Sequence, residues 1–134
     1  MGSGTGIGRV RGLGSAKTGS HHWMVQRTTA VGNLLLVTWL IVSLLKLPDY
    51  SYAMLHDWMA QPIVAVPAIL MLISIFWHLR LGLQVFMEDY IHSDGAKFAW
   101  TLFLTFYAIG TAALGIFAIA KIAFTIVVPG TPPA

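Results

Sequence analysis

The sequence predicts an all-α membrane protein, three transmembrane helices in a bundle with the N-terminus cytoplasmic. Three observations carry that prediction. Of 134 residues, 57% are hydrophobic and only 10% charged, where soluble domains carry about 25%; a water-soluble globule would lack the solvated surface it needs. Apolar runs close to the roughly 20 residues that cross a bilayer occur three times along the chain. The lysines and arginines lie unevenly about those runs. A mean hydropathy of +0.75 excludes an ordinary cytosolic enzyme. It also excludes the disordered class, whose mark is low hydrophobicity with high charge. The length allows one domain at most.

The chain has no cysteine, so it holds no disulfide framework, cysteine-ligated zinc or iron–sulfur cluster by itself. Its net charge of +3 and pI near 9.5 look like a nucleic-acid signature until the charges are placed. Arg9, Arg11, Lys17 and Arg27 all precede the first apolar run. They read as a topology signal, and no nucleic-acid partner is expected.

Residues 1–20 hold seven glycines, three basic residues and no acid, which predicts a flexible tail on the membrane surface. A phosphate-binding loop is excluded: Lys17-Thr18 would need glycines where Ala16 and Arg11 stand. The membrane part is expected over residues 21–128, with spans at about 28–46, 63–88 and 99–127, and a C-terminal tail over 129–134. The first span starts near Thr28 without a charge and closes on Lys46. The second carries His78 and Arg80, and the third is interrupted by Lys121. Pro48-Asp49 and Gln61-Pro62 bound the first loop, and Asp94-Gly95 marks a turn in the second. Short loops make the helices antiparallel neighbours.

Arg9, Arg11, Lys17, Arg27 and Lys97 fall on one side of the membrane, against Lys46 and a snorkelling Lys121 on the other, which puts the N-terminus in the cytoplasm. In the third span, Ala108 with Ala112 and Thr111 with Gly115 form small pairs that allow close helix contact. Asn33 in the first span is expected to make an interhelical hydrogen bond.

The second span carries the chemistry, because ionisable groups inside a membrane are costly. His78 and Asp89 are eleven residues apart, about 20° beyond three full helical turns and a rise of about 16 Å. They share a face, and His78 lies near the midplane if Asp89 lies at the interface. Ser74, Gly82 and Val85 fall on the same stripe, whose small groups leave room for a flat bulky ligand. A buried imidazole can ligate a haem iron, relay a proton, or simply hydrogen-bond to a neighbouring helix. A relay needs further titratable groups at depth, and only Arg80, a permanent cation, is there. Haem ligation fits better, with the second ligand from another subunit because His78 is the only histidine deep in a span. Arg80, about 100–200° off that face, is expected to snorkel or to pair with a neighbouring chain. Asp89-Tyr90 ends the helix at the interface. Tyr90 is either an aromatic-belt anchor or a hydrogen-bond donor to a quinone carbonyl, with the Asp orienting it or pairing with a cation.

Read together as HLRLGLQVFMEDYIHSDG, with His78, Gly82, Gln84, Asp89 and Tyr90 at those intervals, this segment resembles the small hydrophobic membrane-anchor subunit of succinate dehydrogenase, respiratory complex II. The stretch Gly-Ser-Ala-Lys before His21, followed by Gln26-Arg27, adds to the resemblance, which covers roughly residues 12 to 125. It implies that His78 is an axial ligand of haem b, with the second histidine supplied by the partner cytochrome b subunit. It implies that Tyr90 hydrogen-bonds the ubiquinone carbonyl near the iron–sulfur subunit and that Asp89 shapes that site. Arg27 and His21 match positions near the haem propionates, where a cation offsets the desolvation of carboxylates, and Gly82 matches a point of close haem approach. The chain would then anchor the flavoprotein and iron–sulfur subunits in the bacterial inner (cytoplasmic) membrane, among membrane lipids, and have no catalytic residues alone. A fumarate reductase anchor, a haemless structural anchor and a small transporter are the rival readings.

Overall fold

The computed structural model of the protein describes Gly6 and residues 19–125. Of the tail expected over 1–20, Gly19 and Ser20 belong to the first helix and the rest apart from Gly6, with Arg9, Arg11 and Lys17, lies outside the described residues, as does the tail expected over 129–134. Four helices follow one another: α1 (Gly19–Leu45), α2 (Tyr52–Ala60), α3 (Pro62–Tyr90) and α4 (Asp94–Phe124). No strand occurs among the described residues. α1, α3 and α4 have 27, 29 and 31 residues, or about 40 to 46 Å at 1.5 Å per residue. Each exceeds the roughly 30 Å hydrocarbon layer, so each can cross a membrane and carry its ends into the headgroup region. Helix is what such a chain must form there, because every backbone N–H and C=O away from water needs an internal partner.

Local sequence sets the boundaries. α3 opens with Pro62 in its first turn, where a missing N–H costs nothing. Pro67 sits inside the same helix, still close to its start. α4 is capped by Ser93, whose Oγ accepts from the Ala96 N–H at 3.2 Å. Asp94-Gly95 therefore does not form the expected turn. It is the first turn of the helix, where the Asp94 carboxylate meets the positive end of the helix dipole. Lys121 lies in the last turn, the favourable end for a cation.

The first loop also holds a helix that its sequence did not lead us to expect. Ser51 caps α2, its Oγ accepting from the Met54 N–H at 3.5 Å, and the Asp49 carboxylate accepts from the Ser51 N–H at 3.1 Å. Hydrogen bonding to Ser51 holds the Asp49 carboxyl below its ordinary value. A carboxyl lowered in the folded state contributes stability above its unfolded pKa and loses it as pH falls through the folded one. The Asp49→Asn variant should therefore lose none of its stability to acidification at this site, which thermal denaturation at descending pH would detect. α2 packs across α3 and α4 and buries His56, whose Nδ1 has no hydrogen-bond partner among the described residues.

α3 is the middle of the arrangement. It packs against both α1 and α4, which do not touch each other, so the three spans form an open row. Ala65, Ala68 and Ile119 make the tightest cluster, flanked by Met59, Ile69, Leu72 and Ala123. Small residues dominate because lipid tails are as apolar as leucine, and close van der Waals contact is what holds helices together in a membrane. Ala108 is buried, and Gly115 faces Leu72 so closely that an added Cβ would stand 2.7 Å from Leu72 Cδ1. A Gly115→Val variant should cost about 1–3 kcal/mol through overpacking, read as faster thermal inactivation in detergent, and Leu72→Ala should recover part of it. Asn33 does not make the expected interhelical bond; its Oδ1 is buried without a partner among the described residues. The large side chains Leu34, Leu114 and Phe117 point away from the other helices.

Candidate functional site

The α1–α3 contact is built on three successive rungs of an antiparallel pair. At the first, an added Cβ on Gly32 would stand 3.3 Å from Ser74 Oγ, so glycine lets the two backbones approach. At the second, Ser74 Oγ donates to the Thr29 carbonyl at 3.3 Å, and Thr29 Oγ1 lies 3.0 Å from His78 Nδ1. At the third, the Gln26 side chain lies opposite Gly82. His78 is thus half-buried on the α1-facing side of α3. Its Nδ1 is engaged, and its Nε2 has no hydrogen-bond partner among the described residues.

Gly82, one turn further on, has little to do inside this chain. A Cβ there would meet Gln26 Nε2 at 3.8 Å, an ordinary contact. Packing between α1 and α3 does not demand glycine at that position, where the neighbour is the end of the Gln26 side chain. An unengaged imidazole nitrogen with a glycine one turn away could hold one axial position of a planar metal complex. No group of three or more His, Asp or Glu that could enclose a metal ion occurs among the described residues. A metal held at His78 would need its other ligands from a macrocycle and from another chain.

Arg80 is two residues from His78, about 200° round the helix, and faces α4. Its Nε donates to Thr105 Oγ1 at 3.1 Å, and Thr105 in turn donates to the Thr101 carbonyl at 2.7 Å. The guanidinium also lies 5.3 Å from the centre of the Trp77 ring. Besides the expected snorkelling or pairing with a neighbouring chain, Arg80 thus has an acceptor for its Nε within the chain, which lowers the desolvation cost of an Arg at depth. A Thr105→Val variant should destabilise the α3–α4 pair by about 1–3 kcal/mol, the cost of leaving a guanidinium N–H unpaired, measurable as a lower thermal midpoint.

The remaining site residues lie at the α3 C-terminus and the α1 N-terminus. Tyr90 is the last residue of α3, 70% exposed, with its ring centre 4.6 Å from that of Phe86. Asp89 is exposed beside it. Twelve residues separate Tyr90 from His78, about 18 Å along the helix, so the two mark different depths. Arg27 is exposed on α1, its guanidinium 5.5 Å from the Trp23 ring centre, and His21 is exposed near the start of the same helix. An apolar hollow of about 250 Å³ lined by Ala99, Trp100 and Phe103 lies on α4 and includes none of these residues.

Thr29, Gly32 and Thr105 were missed by reasoning from sequence, although the signal existed. With antiparallel spans, a hydroxyl on α1 at the depth of His78 is a natural partner for its second nitrogen, and Thr29 is the residue at that level.

Residues 1–112 match the family described as succinate dehydrogenase/fumarate reductase transmembrane subunit. The chain is also similar to the succinate dehydrogenase hydrophobic membrane anchor subunit of Rickettsia bellii, 36% identical over 85 residues, covering 63% of this chain and 68% of the relative. The protein of the same name from Rickettsia conorii is 37% identical over 87 residues, 63% of this chain and 68% of the relative. That from Coxiella burnetii is 27% identical over 85 residues, 63% and 74% respectively. No solved structure matches the chain.

Proposed function

The chain belongs to the succinate dehydrogenase/fumarate reductase transmembrane subunit family, and from that membership and the site geometry we propose that it is the membrane anchor of a succinate:ubiquinone oxidoreductase, supplying one haem b ligand and part of the ubiquinone-reduction site. It is a multi-pass membrane protein by its three long apolar helices. In this reading it lies in the bacterial inner membrane with its N-terminus cytoplasmic, and carries the iron–sulfur and flavoprotein subunits beside a partner cytochrome b subunit.

The observation that carries the proposal is His78, held through Nδ1 by Thr29 with Nε2 unengaged and with Gly82, where packing inside the chain does not require glycine, one turn away. A haem bound there would pass single electrons at a potential set by its axial ligands and their surroundings. The chain's own residues hold it. His78 would ligate its iron, Gly82 would admit the macrocycle beside α3, and Arg27 and His21 would offset the desolvation of its propionates.

Quinone reduction takes two electrons and two protons, and the electrons arrive from the soluble subunits. Tyr90, at the exposed end of α3, donates its phenolic O–H to a quinone carbonyl, and charge that develops on that oxygen strengthens the bond. Asp89 orients the phenol or pairs with a cation. In this reading the oxidation of succinate itself falls to the flavoprotein subunit. The family description covers fumarate reductase as well; the Asp89-Tyr90 pair and the names of the relatives favour the succinate-oxidising direction.

The test is a dithionite-reduced minus oxidised spectrum of the detergent-purified complex, isolated through a tag on this chain. A b-type α-band at one haem per flavin is expected. An intact complex without the band would leave a haemless anchor. Isolation of the chain with no partner, together with ion flux in liposomes, would favour a transporter.

A further inference from the structure

We propose that Thr29 is a positioning residue for His78: its hydroxyl oxygen accepts the Nδ1 proton and thereby presents Nε2, with its lone pair free, to a metal. The inference rests on the reading of His78 as a haem ligand. Thr29 Oγ1 lies 2.9 Å from the Val25 carbonyl oxygen, 3.0 Å from that of Gln26 and 3.0 Å from His78 Nδ1. A hydroxyl has one proton and two lone pairs, whereas a carbonyl oxygen only accepts. With the single proton directed back to the helix carbonyls, as threonine does within helices, Oγ1 is left as an acceptor and receives Nδ1–H.

The opposite assignment has a cost that this one lacks. If Thr29 donated to Nδ1, the ring proton would sit on Nε2, where no described residue accepts it. An unpaired N–H in a half-buried membrane position is unfavourable, and a protonated Nε2 cannot bind iron. A ligating histidine whose other nitrogen donates to a fixed acceptor is held in tautomer and orientation, and is made a more basic ligand.

The acceptor itself is fixed. Threonine is stiff about χ1, and its carbonyl accepts from Ser74 Oγ at 3.3 Å. Ser74 and His78, one turn apart on α3, thus both close on Thr29, and Gly32 allows the helices near enough for it.

The experiment compares Thr29→Val, which keeps shape and loses the hydroxyl, with Thr29→Ser, which keeps the hydroxyl, each in the complete complex purified through a tag on this chain. Haem transfer to excess apomyoglobin, the haem midpoint potential and the EPR g-values of the oxidised haem are read. Thr29→Val should release haem about 10- to 100-fold more readily. Its midpoint should rise, since a less basic ligand stabilises ferric iron less; a tenfold change in the ferric-to-ferrous affinity ratio is about 59 mV for one electron. Thr29→Ser should match wild type. Should the valine variant fail to assemble, Thr29→Ala takes its place, being too small to clash, and should behave as valine is expected to.

Wild-type potential, g-values and transfer rate in Thr29→Val or Thr29→Ala would overturn the role of Thr29 while leaving a His78-dependent band intact. Absence of any b-type band in the wild-type complex, or its survival unchanged in His78→Leu, would overturn the haem-ligand reading and this inference with it.

Discussion

Replacing His78 by leucine is expected to reduce the b-type α-band of the assembled complex to baseline, with the flavin content unchanged. Leucine fills a similar volume on the helix face and offers no lone pair to iron. The structural cost is modest. Thr29 loses the group at its Oγ1 but keeps two helix carbonyls to which its own proton can go, so the loss is about 1 kcal/mol. α3 remains pinned by α4 through Arg80 and Thr105 and by the Ala65–Ala68–Ile119 cluster. Assembly should therefore survive, and the haem-to-flavin ratio after tag purification is the deciding quantity. A ratio equal to wild type would place the haem ligand elsewhere.

The second large effect is at Tyr90. Tyr90→Phe should lower succinate-dependent quinone reduction about 10- to 100-fold, the range of a lost hydrogen bond to an oxygen that gains charge. Succinate oxidation with an artificial acceptor that takes electrons before the membrane should be close to wild type. The ring contact with Phe86 is retained in phenylalanine, so the variant isolates the hydroxyl. Because Tyr90 lies about 18 Å along α3 from His78, the haem spectrum should not move. Quinone turnover equal to wild type would make Tyr90 a membrane-interface anchor and nothing more.

Much of the fold was legible along the chain. The three spans follow from apolar runs interrupted by few charges, a signal that needs no tertiary information because lipid tolerates little else. The axial spacing of His78 from Asp89-Tyr90 at the end of α3 follows from helical rise alone. Less legible were short elements whose character depends on a cap and a packing surface. α2 is nine residues long, too short to be stable by propensity, and it holds because Ser51 caps it and because α3 and α4 lie beneath it. Asp94-Gly95 has turn composition, yet the Ser93 cap one residue earlier draws it into α4.

Side-chain partners across helices were the least legible. Asn33, expected to make an interhelical hydrogen bond, has a buried oxygen without a partner among the described residues. For Arg80, read as snorkelling or pairing with a neighbouring chain, the sequence offered no hint of the hydrogen bond from its Nε to Thr105. Such pairings depend on the rotation of each helix about its axis and on the register of its neighbour, neither of which hydrophobicity sets in a chain whose outer faces are as apolar as its inner ones.

By itself, then, the sequence determined that this protein has three helices long and apolar enough to cross a membrane, which of them carries His78 and Arg80, and how far along it they stand from Asp89-Tyr90. Those properties are one-dimensional, set by transfer free energy and by 1.5 Å of rise per residue. Only the tertiary structure decided that α3 stands between α1 and α4 in an open row, and that the side chain of Thr29 rather than that of Asn33 hydrogen-bonds to α3. It also decided that Nδ1 of His78 is engaged while Nε2 is not. The physical reason is that helix contacts in lipid come from close packing at a few small residues, Gly32, Ala68 and Gly115 among them, and such shape complementarity exists only once the helices have met.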